Sequence, residues 1–189
     1  MTRLPIIITC LFLLTSFISF SQDKGQELMW GERALKWIDF KGTPDNKSEF
    51  KAYTTSGMRY IPKYVGDSMH CEIITYFEYY KSWSVSQSEY LLEHEQIHFD
   101  ITEYHARLFR KELSQHTFTS LSKVGSDLSE MLNRYTQSRE KMQDLYDSET
   151  NHSKNQENQL KWNEKISDLL KSTEKFKSSL VLVYIGNIR

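Results

Sequence analysis

The segment of residues 91–107 constrains the fold of this chain more than any other, because it places three histidines and three glutamates in seventeen positions. Successive residues of an α-helix are rotated by about 100°, so His94 and His98 lie about 40° apart on one side. That side also carries Ile97 and Ile101, which favour burial. Buried imidazoles need partners, because an unpaired buried polar group destabilises a fold. We therefore expect a helix whose histidine-bearing side faces the interior.

Two further helices are expected after this one. Ser86, with Glu89 three residues later, predicts a capping box at the start of the histidine-bearing helix. The expected apolar stripe of the second helix is Leu121, Val124, Leu128, Met131, Leu132 and Tyr135, and the third helix is expected to bury Leu160, Ile166, Leu169 and Leu170. The predicted helices span about residues 86–113, 120–145 and 157–177, with residues 146–156 as a polar loop.

A strand is predicted over residues 71–80, which are dense in β-branched and aromatic side chains. Its odd-numbered residues are more apolar than its even-numbered ones, a pattern that indicates an antiparallel sheet covered on one side. The sequence also predicts a loop over 42–48, a turn at Gly66-Asp67 and a terminal strand over 179–185.

Length and composition favour one globular domain, and the strands and helices predicted above place it in the α+β class. The chain has 189 residues, of which 39% are hydrophobic and 26% charged. Its formal net charge of −1 argues against a general nucleic-acid binder, which needs a basic surface. We expect residues 22–189 to form this single domain.

The N-terminus has the features of a secretory signal peptide, with Arg3 before an apolar run and small residues at Ser19 and Ser21. Cleavage before Gln22 removes residues 1–21, and the alternative is an uncleaved signal anchor. We expect an exported protein, periplasmic or extracellular, with no stable membrane span after cleavage. Export leaves Cys71 as the one cysteine of the mature chain, so no intrachain disulfide is expected, and a buried thiol is favoured over a nucleophile.

Residues His94-Glu95-Gln96-Ile97-His98 form an HExxH pattern. Histidines four positions apart are neighbours on a helix, so both imidazoles can reach one zinc ion at about 2.0–2.1 Å. Glu95 lies one step round the helix, where it can reach a zinc-activated water without binding the metal. The alternative is a pair of solvated or hydrogen-bonded core histidines with no ion. A histidine-rich site would also accept cobalt or nickel.

The third metal ligand must come from outside the helix. His105 lies in phase with the pair but about 10 Å beyond His98 along the axis, and Glu103 lies on the opposite face. The polar stretch after the second helix supplies Asp147, Glu149 and His152, and the choice between Glu149 and His152 stays open from their chemistry alone. The alternative is a loop whose polar residues cap the third helix.

The same motifs resemble the family called domain of unknown function 922, over about residues 30–170. The matching text is WIDFKG from Trp37, Ser82-Trp83, LLEHEQIHFDI with Glu103, Ala106 and Arg107, and YDSETNH with Gln159 and Trp162. The resemblance implies a zincin-like fold, in which a small antiparallel sheet packs on the histidine-bearing helix with two further helices behind. It also implies a secreted zinc-dependent protease, and it favours His152 as the third ligand. Ser153 stands where the family pattern favours glycine.

These observations together predict a secreted zinc metallopeptidase that hydrolyses peptide bonds of a peptide or protein, with Glu95 as general base. Its predicted zinc ligands are His94, His98 and His152. One alternative is an exported zincin-like binding module without turnover, and another is a structural domain without metal. An extended substrate is expected to add as a strand to an exposed sheet edge, with 71–80 as the candidate strand unless it is central.

Five further side chains have weaker predictions attached. Tyr146 or His105 is a candidate for binding an oxyanion, although packing is the commoner role of such a Tyr. Asp100 is a candidate acceptor for a ligand histidine, but its position on the wheel favours the surface. Glu103 and Arg107, four residues apart, are expected to form a helix ion pair worth a few tenths of a kcal/mol.

Overall fold

The computed structural model describes residues 25–186, and the predicted signal peptide, residues 1–21, lies outside that range. The described part has six strands and three α-helices, which confirms an α+β protein with a small antiparallel sheet and three helices. The strands are β1 (Glu27–Met29), β2 (Ala52–Tyr53), β3 (Ser56–Val65), β4 (Ser68–Glu78), β5 (Trp83–Ser84) and β6 (Leu180–Tyr184), and the helices are α1 (Glu89–Gln115), α2 (Val124–Thr150) and α3 (Gln156–Ser172). Between residues 25 and 186, none of the helices combines the length and apolar character that a membrane crossing requires.

Strand β4 is the centre of the larger sheet. It pairs antiparallel with β3 along one side, and β1 and β6 pair with different parts of its other side. Strands β2 and β5 form a separate two-stranded sheet. The predicted strand 71–80 is confirmed as β4, although it starts earlier and ends at Glu78. The predicted turn at Gly66-Asp67 joins β3 to β4, and the predicted terminal strand is β6.

The inner face of β4 forms one side of the main hydrophobic core. Met69, Cys71, Ile73 and Phe77 are fully buried there and alternate with more exposed residues, as the sequence predicts. Burial raises the pKa of the Cys71 thiol to about 11, as expected for an inert buried thiol rather than a nucleophile.

Helix α1 runs through the interior, with the sheet on one side and α2 and α3 on the other. Helix α1 contributes residues to two hydrophobic cores. Ala106, Phe109 and Leu113 belong to the first core, which lies against the sheet, and Ile97 and Ile101 pack against α3 in the second. The predicted capping box at Ser86 is wrong. Ser88 is the N-cap instead, and its side chain accepts a hydrogen bond from the backbone N–H of Leu91 at 3.2 Å.

The side of α1 that faces the sheet carries a buried ion network. Glu103 accepts hydrogen bonds from Arg107 Nε at 2.9 Å, Arg110 Nη1 at 2.8 Å and Thr75 Oγ1 at 2.8 Å. Arg110 also donates twice to the carbonyl oxygen of Ile73, at the stretch of β4 between its pairings with β1 and β6. The predicted Glu103–Arg107 pair exists, but its side chains lie in the protein interior rather than at the surface, so the magnitude typical of an exposed helix pair does not describe it.

The second and third helices differ from their predicted ranges. Helix α2 continues through Tyr146 to Thr150, and α3 begins at Gln156. The predicted loop 146–156 is therefore reduced to residues 151–155. Asn155 caps α3, which ends at Ser172 before a short 3₁₀ turn. Of the residues predicted to be buried, Leu121 and Leu160 are exposed. Trp162, which the apolar stripe left out, is buried in the second core.

Candidate metal centre

Three side-chain atoms from two helices meet at one point. The Nε2 atoms of His94 and His98 on α1 are 3.2 Å apart. Asp147 Oδ1, on the last turn of α2, lies 3.1 Å from the first and 3.2 Å from the second. Among residues 25–186 these are the one group of three or more metal-binding side chains found close enough to share an ion.

The opposite nitrogen of each imidazole contacts an amide oxygen. His94 Nδ1 lies 2.9 Å from Gln159 Oε1, and His98 Nδ1 contacts Gln143 Oε1. Gln143 is held in this orientation because its amide nitrogen donates to the carbonyl oxygen of His98 at 2.9 Å. An amide oxygen only accepts hydrogen bonds, so each Nδ1 carries a hydrogen, and in the neutral imidazole this leaves Nε2 with a lone pair.

Two lone pairs and a carboxylate oxygen at these separations repel each other unless positive charge lies between them. The pKa shifts of His98 and Asp147 follow from the same electrostatics. Burial lowers the pKa of His98, but hydrogen bonding to Asp147 and its negative charge outweigh burial and raise that pKa to about 9. Burial raises the pKa of Asp147, yet its hydrogen bonds to His94 and His98 hold the pKa well below the usual range.

The geometry of the three atoms fits a small divalent ion. A tetrahedral ion with bonds of about 2.0–2.1 Å separates its ligand atoms by about 3.3–3.4 Å. The observed separations of 3.1–3.2 Å are close to that value. Two imidazoles and one carboxylate are also a donor set that suits zinc. The residues present therefore fit a bound zinc ion.

Glu95 is buried beside this group and one of its oxygens has no partner. Its side chain is 2% exposed, and among the described residues Oε2 is one of three buried side-chain polar atoms that make no hydrogen bond. Glu95, His94 and His98 line one pocket of about 320 Å³. A buried carboxylate oxygen without a partner is destabilising on its own, so its position is best explained by a group that binds in the pocket.

The pocket lies between four parts of the chain. Residues 49–56 line it, and α1 contributes Leu91, His94, Glu95 and His98. Helix α2 contributes residues from Arg139 to Asp147, and the loop after α2 contributes His152 and Lys154. A volume of this order is in the range of pockets that bind small ligands or a few residues of a peptide.

The structure separates the three candidates for the third ligand. Asp147 belongs to the group of three, and Glu149 lies outside it and accepts a hydrogen bond from Trp162 Nε1 at 2.7 Å. His152 lines the pocket, with its Nδ1 3.6 Å from Asp147 Oδ1, but it does not fall within the group.

Of the other predicted side chains, Tyr146 lies closest to the site. Its ring stacks on His94 with centroids 4.6 Å apart, and its hydroxyl bonds Gln159 and the carbonyl oxygen of His94, so its contacts are those of a packing residue. His105 is buried with Nδ1 against the carbonyl oxygen of Ile101, away from the pocket. Asp100 is half-buried rather than at the surface and accepts from Trp30 Nε1 at 2.7 Å.

Sequence reasoning missed Gln143 and Gln159 as partners of the histidines. Gln143 and Asp147 are four residues apart, so a helix drawn through residue 147 would have placed both on one face. The sequence offered no comparable pattern for Gln159, although the quoted resemblance included it.

A known protein family matches the part of the chain that carries His94, His98 and Asp147. Residues 78–153 match the model of the family described as "Bacterial protein of unknown function (DUF922)". The matched range contains α1, α2 and the group of His94, His98 and Asp147. The resemblance expected from the sequence is therefore confirmed over 78–153, a shorter range than 30–170, and the description of DUF922 names no activity. Searches of curated proteins and of solved structures found no match.

Proposed function

We propose that this chain is a zinc-dependent hydrolase of peptide bonds with a zincin-like site. The observation that carries the proposal is the meeting, in one pocket, of three donor atoms suited to a metal and a buried carboxylate oxygen without a partner. The HExxH spacing on α1 accounts for three of these four groups. The zincin-like character rests on that helix packed between a small sheet and further helices.

His94, His98 and Asp147 would hold the ion. Asp147 takes the third place here because its oxygen lies within 3.2 Å of both imidazole nitrogens, whereas His152 lies outside the group. Three protein ligands leave a position open towards the pocket. When bound, a divalent ion at this point supplies Lewis acidity, which acidifies water and polarises a carbonyl oxygen.

Glu95 would carry the proton. Its Oε2 accepts a proton from a water molecule as the water oxygen attacks the carbonyl carbon of the peptide bond. The same oxygen then gives the proton to the leaving amine nitrogen as the carbon–nitrogen bond breaks. Burial and the lack of another partner leave this oxygen free for both steps.

An extended peptide has a suitable edge beside the pocket. Val85 N–H donates to the carbonyl oxygen of Lys51 at 2.8 Å, so in this antiparallel pair the next residue, Ala52, directs its backbone groups to the side away from β5. Residues 49–56, which include β2, line the pocket, and a peptide strand would add at this edge. Strand 71–80, the candidate from the sequence, is central and already paired on both sides, so it cannot accept a substrate strand.

The proposal is tested by metal content and by cleavage measured together. Protein purified without chelators should contain about one zinc per chain, and His98→Ala should lose it. Glu95→Gln should keep the zinc and lower cleavage of a peptide library by about 10²–10⁴-fold. Glu93→Gln is the matched control, because Glu93 is exposed two positions away on the same helix, and it should cleave like the wild type.

Two outcomes would contradict the proposal in different ways. Metal-free wild-type protein that also fails to take up added zinc would exclude the metal site. Zinc-loaded wild type that is as inert as Glu95→Gln across the library would favour the alternative of a binding module without turnover.

A further inference from the structure

The loop after α2, which lines the pocket with His152 and Lys154, has an unusual backbone. Asn151, His152 and Ser153 follow α2 with φ values of 49°, 50° and 67°, all in the left-handed region and none of them glycine. A residue with a Cβ atom is disfavoured there. Three in succession are held by the surrounding structure, since the backbone N–H of Asn155 donates to the carbonyl oxygen of Thr150 at 2.8 Å and that of His152 to Asp147 at 2.9 Å. Such conformations often occur at functional sites.

This backbone directs the imidazole of His152 to the pocket. The side chain is 40% exposed, and its ring packs against Phe50, another residue that lines the pocket, with centroids 4.6 Å apart. The distance of 3.6 Å from its Nδ1 to Asp147 Oδ1 is beyond hydrogen-bonding range. Between residues 25 and 186, no hydrogen bond to either ring nitrogen is found, so His152 has a donor available for a bound molecule.

The environment of His152 differs from that of the two histidines in the metal group. His94 and His98 each have an amide oxygen behind Nδ1, which fixes the ring for metal binding. His152 has no such acceptor and lies outside the group, yet it is adjacent to the ligand oxygen of Asp147. It is therefore placed to contact a molecule bound beside the ion rather than the ion itself.

We propose that His152 is a catalytic residue that donates a hydrogen bond to the carbonyl oxygen of the peptide bond being cleaved, and that Phe50 positions its ring. This inference rests on the proposed function. As water attacks, that oxygen gains negative charge, and a fixed N–H aimed at it lowers the barrier. A neutral imidazole carries one N–H, so the role requires no change in protonation.

The test measures zinc affinity and cleavage separately for His152→Ala, His152→Gln and the wild type. Zinc affinity is measured by competition with a chromophoric chelator, and cleavage with the peptide that the wild type cleaves best. His152→Ala should bind zinc within about threefold of wild type, whereas kcat/KM should fall by about 10²–10³-fold, the usual cost of removing one such donor. His152→Gln offers an amide N–H and should recover at least about tenfold of that loss.

His116→Ala is the matched control. His116 is a half-buried histidine beside Asp127 at 3.4 Å, outside the pocket, so its removal should change neither measurement. Phe50→Leu should lower kcat with zinc affinity unchanged. In the His152→Ala background the same Phe50 change should cost little further, because its effect acts through the imidazole.

The failures are distinguishable. Loss of zinc in His152→Ala comparable to that in His98→Ala would make His152 a ligand and overturn the inference. Full activity of His152→Ala against an active wild type would also overturn it, with the proposed function intact. An inert, zinc-loaded wild type would overturn the proposed function and this inference together.

Discussion

Replacing Glu103 by glutamine tests whether the buried ion network between α1 and the sheet stabilises the fold. The carboxylate accepts four hydrogen bonds, from Arg107 Nε, Arg110 Nη1, Arg110 Nη2 and Thr75 Oγ1, at 2.9, 2.8, 3.3 and 2.8 Å. The side chains of Glu103, Arg107 and Arg110 are 2%, 1% and 4% exposed. Glutamine keeps the shape of the side chain but removes the one buried negative charge that faces both guanidinium groups.

The expected loss is large because two cations remain in the interior. Removing one partner of a buried ion pair typically costs about 3–5 kcal/mol. With a urea slope of about 2 kcal/mol/M, the midpoint of unfolding should fall by roughly 2 M. For a chain of this length the same loss lowers the melting temperature by roughly 6–20 °C. The surface-pair value of a few tenths of a kcal/mol, which the sequence alone suggests, would shift the midpoint by only about 0.2 M.

Glu157→Gln supplies the matched control for this measurement. Glu157 and Lys161 have the same spacing of four residues on α3 and form an ion pair at 2.6 Å, but their side chains are 79% and 63% exposed. This change should leave the urea midpoint unaltered, because solvent screens the pair. If Glu103→Gln shifts the midpoint no more than Glu157→Gln does, the buried network is not a major source of stability and the reasoning fails.

Three further predictions concern the site and the core. Gln159→Leu removes the acceptor behind His94 Nδ1, 2.9 Å away, and should weaken zinc binding by about 10–100-fold in chelator competition; unchanged affinity would contradict the role of this contact. Ser153→Gly should raise the free energy of unfolding by about 0.5–1 kcal/mol, because φ is 67° there and glycine adopts it without a Cβ clash; a lower urea midpoint would refute this. The buried Cys71 thiol, whose pKa is raised to about 11 by burial, should resist Ellman's reagent at pH 8 and react once urea unfolds the chain; rapid labelling of the folded protein would be inconsistent with its burial.

Several parts of the fold could be predicted from the sequence because they depend on residues a few positions apart. The alternation in 71–80 places Cys71, Ile73 and Phe77 on one face, and that face is buried in β4. The Gly66-Asp67 turn has the required left-handed glycine. The spacing of four residues brings His94 and His98 together on α1. In each case the backbone geometry of a single strand, turn or helix decides the result.

The end of α2 was not predictable from the same local signals. Residues 146–150 are mostly polar, a composition that favours a loop, yet they remain helical. Tyr146 and Thr150 are buried there, and the Tyr146 ring packs between His94 and Trp162. Contacts with α1 and α3 therefore extend the helix beyond the point that sequence propensity supports. This extension is what places Asp147, rather than Glu149, beside the two histidines.

The sequence by itself determined that two imidazoles and Glu95 would lie on neighbouring faces of one helix, because 3.6 residues per turn fixes their relative directions. It could not determine which distant carboxylate would meet them, since Asp147 is 53 positions away and reaches Nε2 of His94 only through the packing of α1 against α2. The same distinction holds for Glu103 and Arg107. Their spacing of four residues determined that they form a pair, whereas the packing of the sheet and of α3 around them determined that the pair is buried. Spacing along one element is a local property, whereas burial and the choice of partner depend on how whole elements pack.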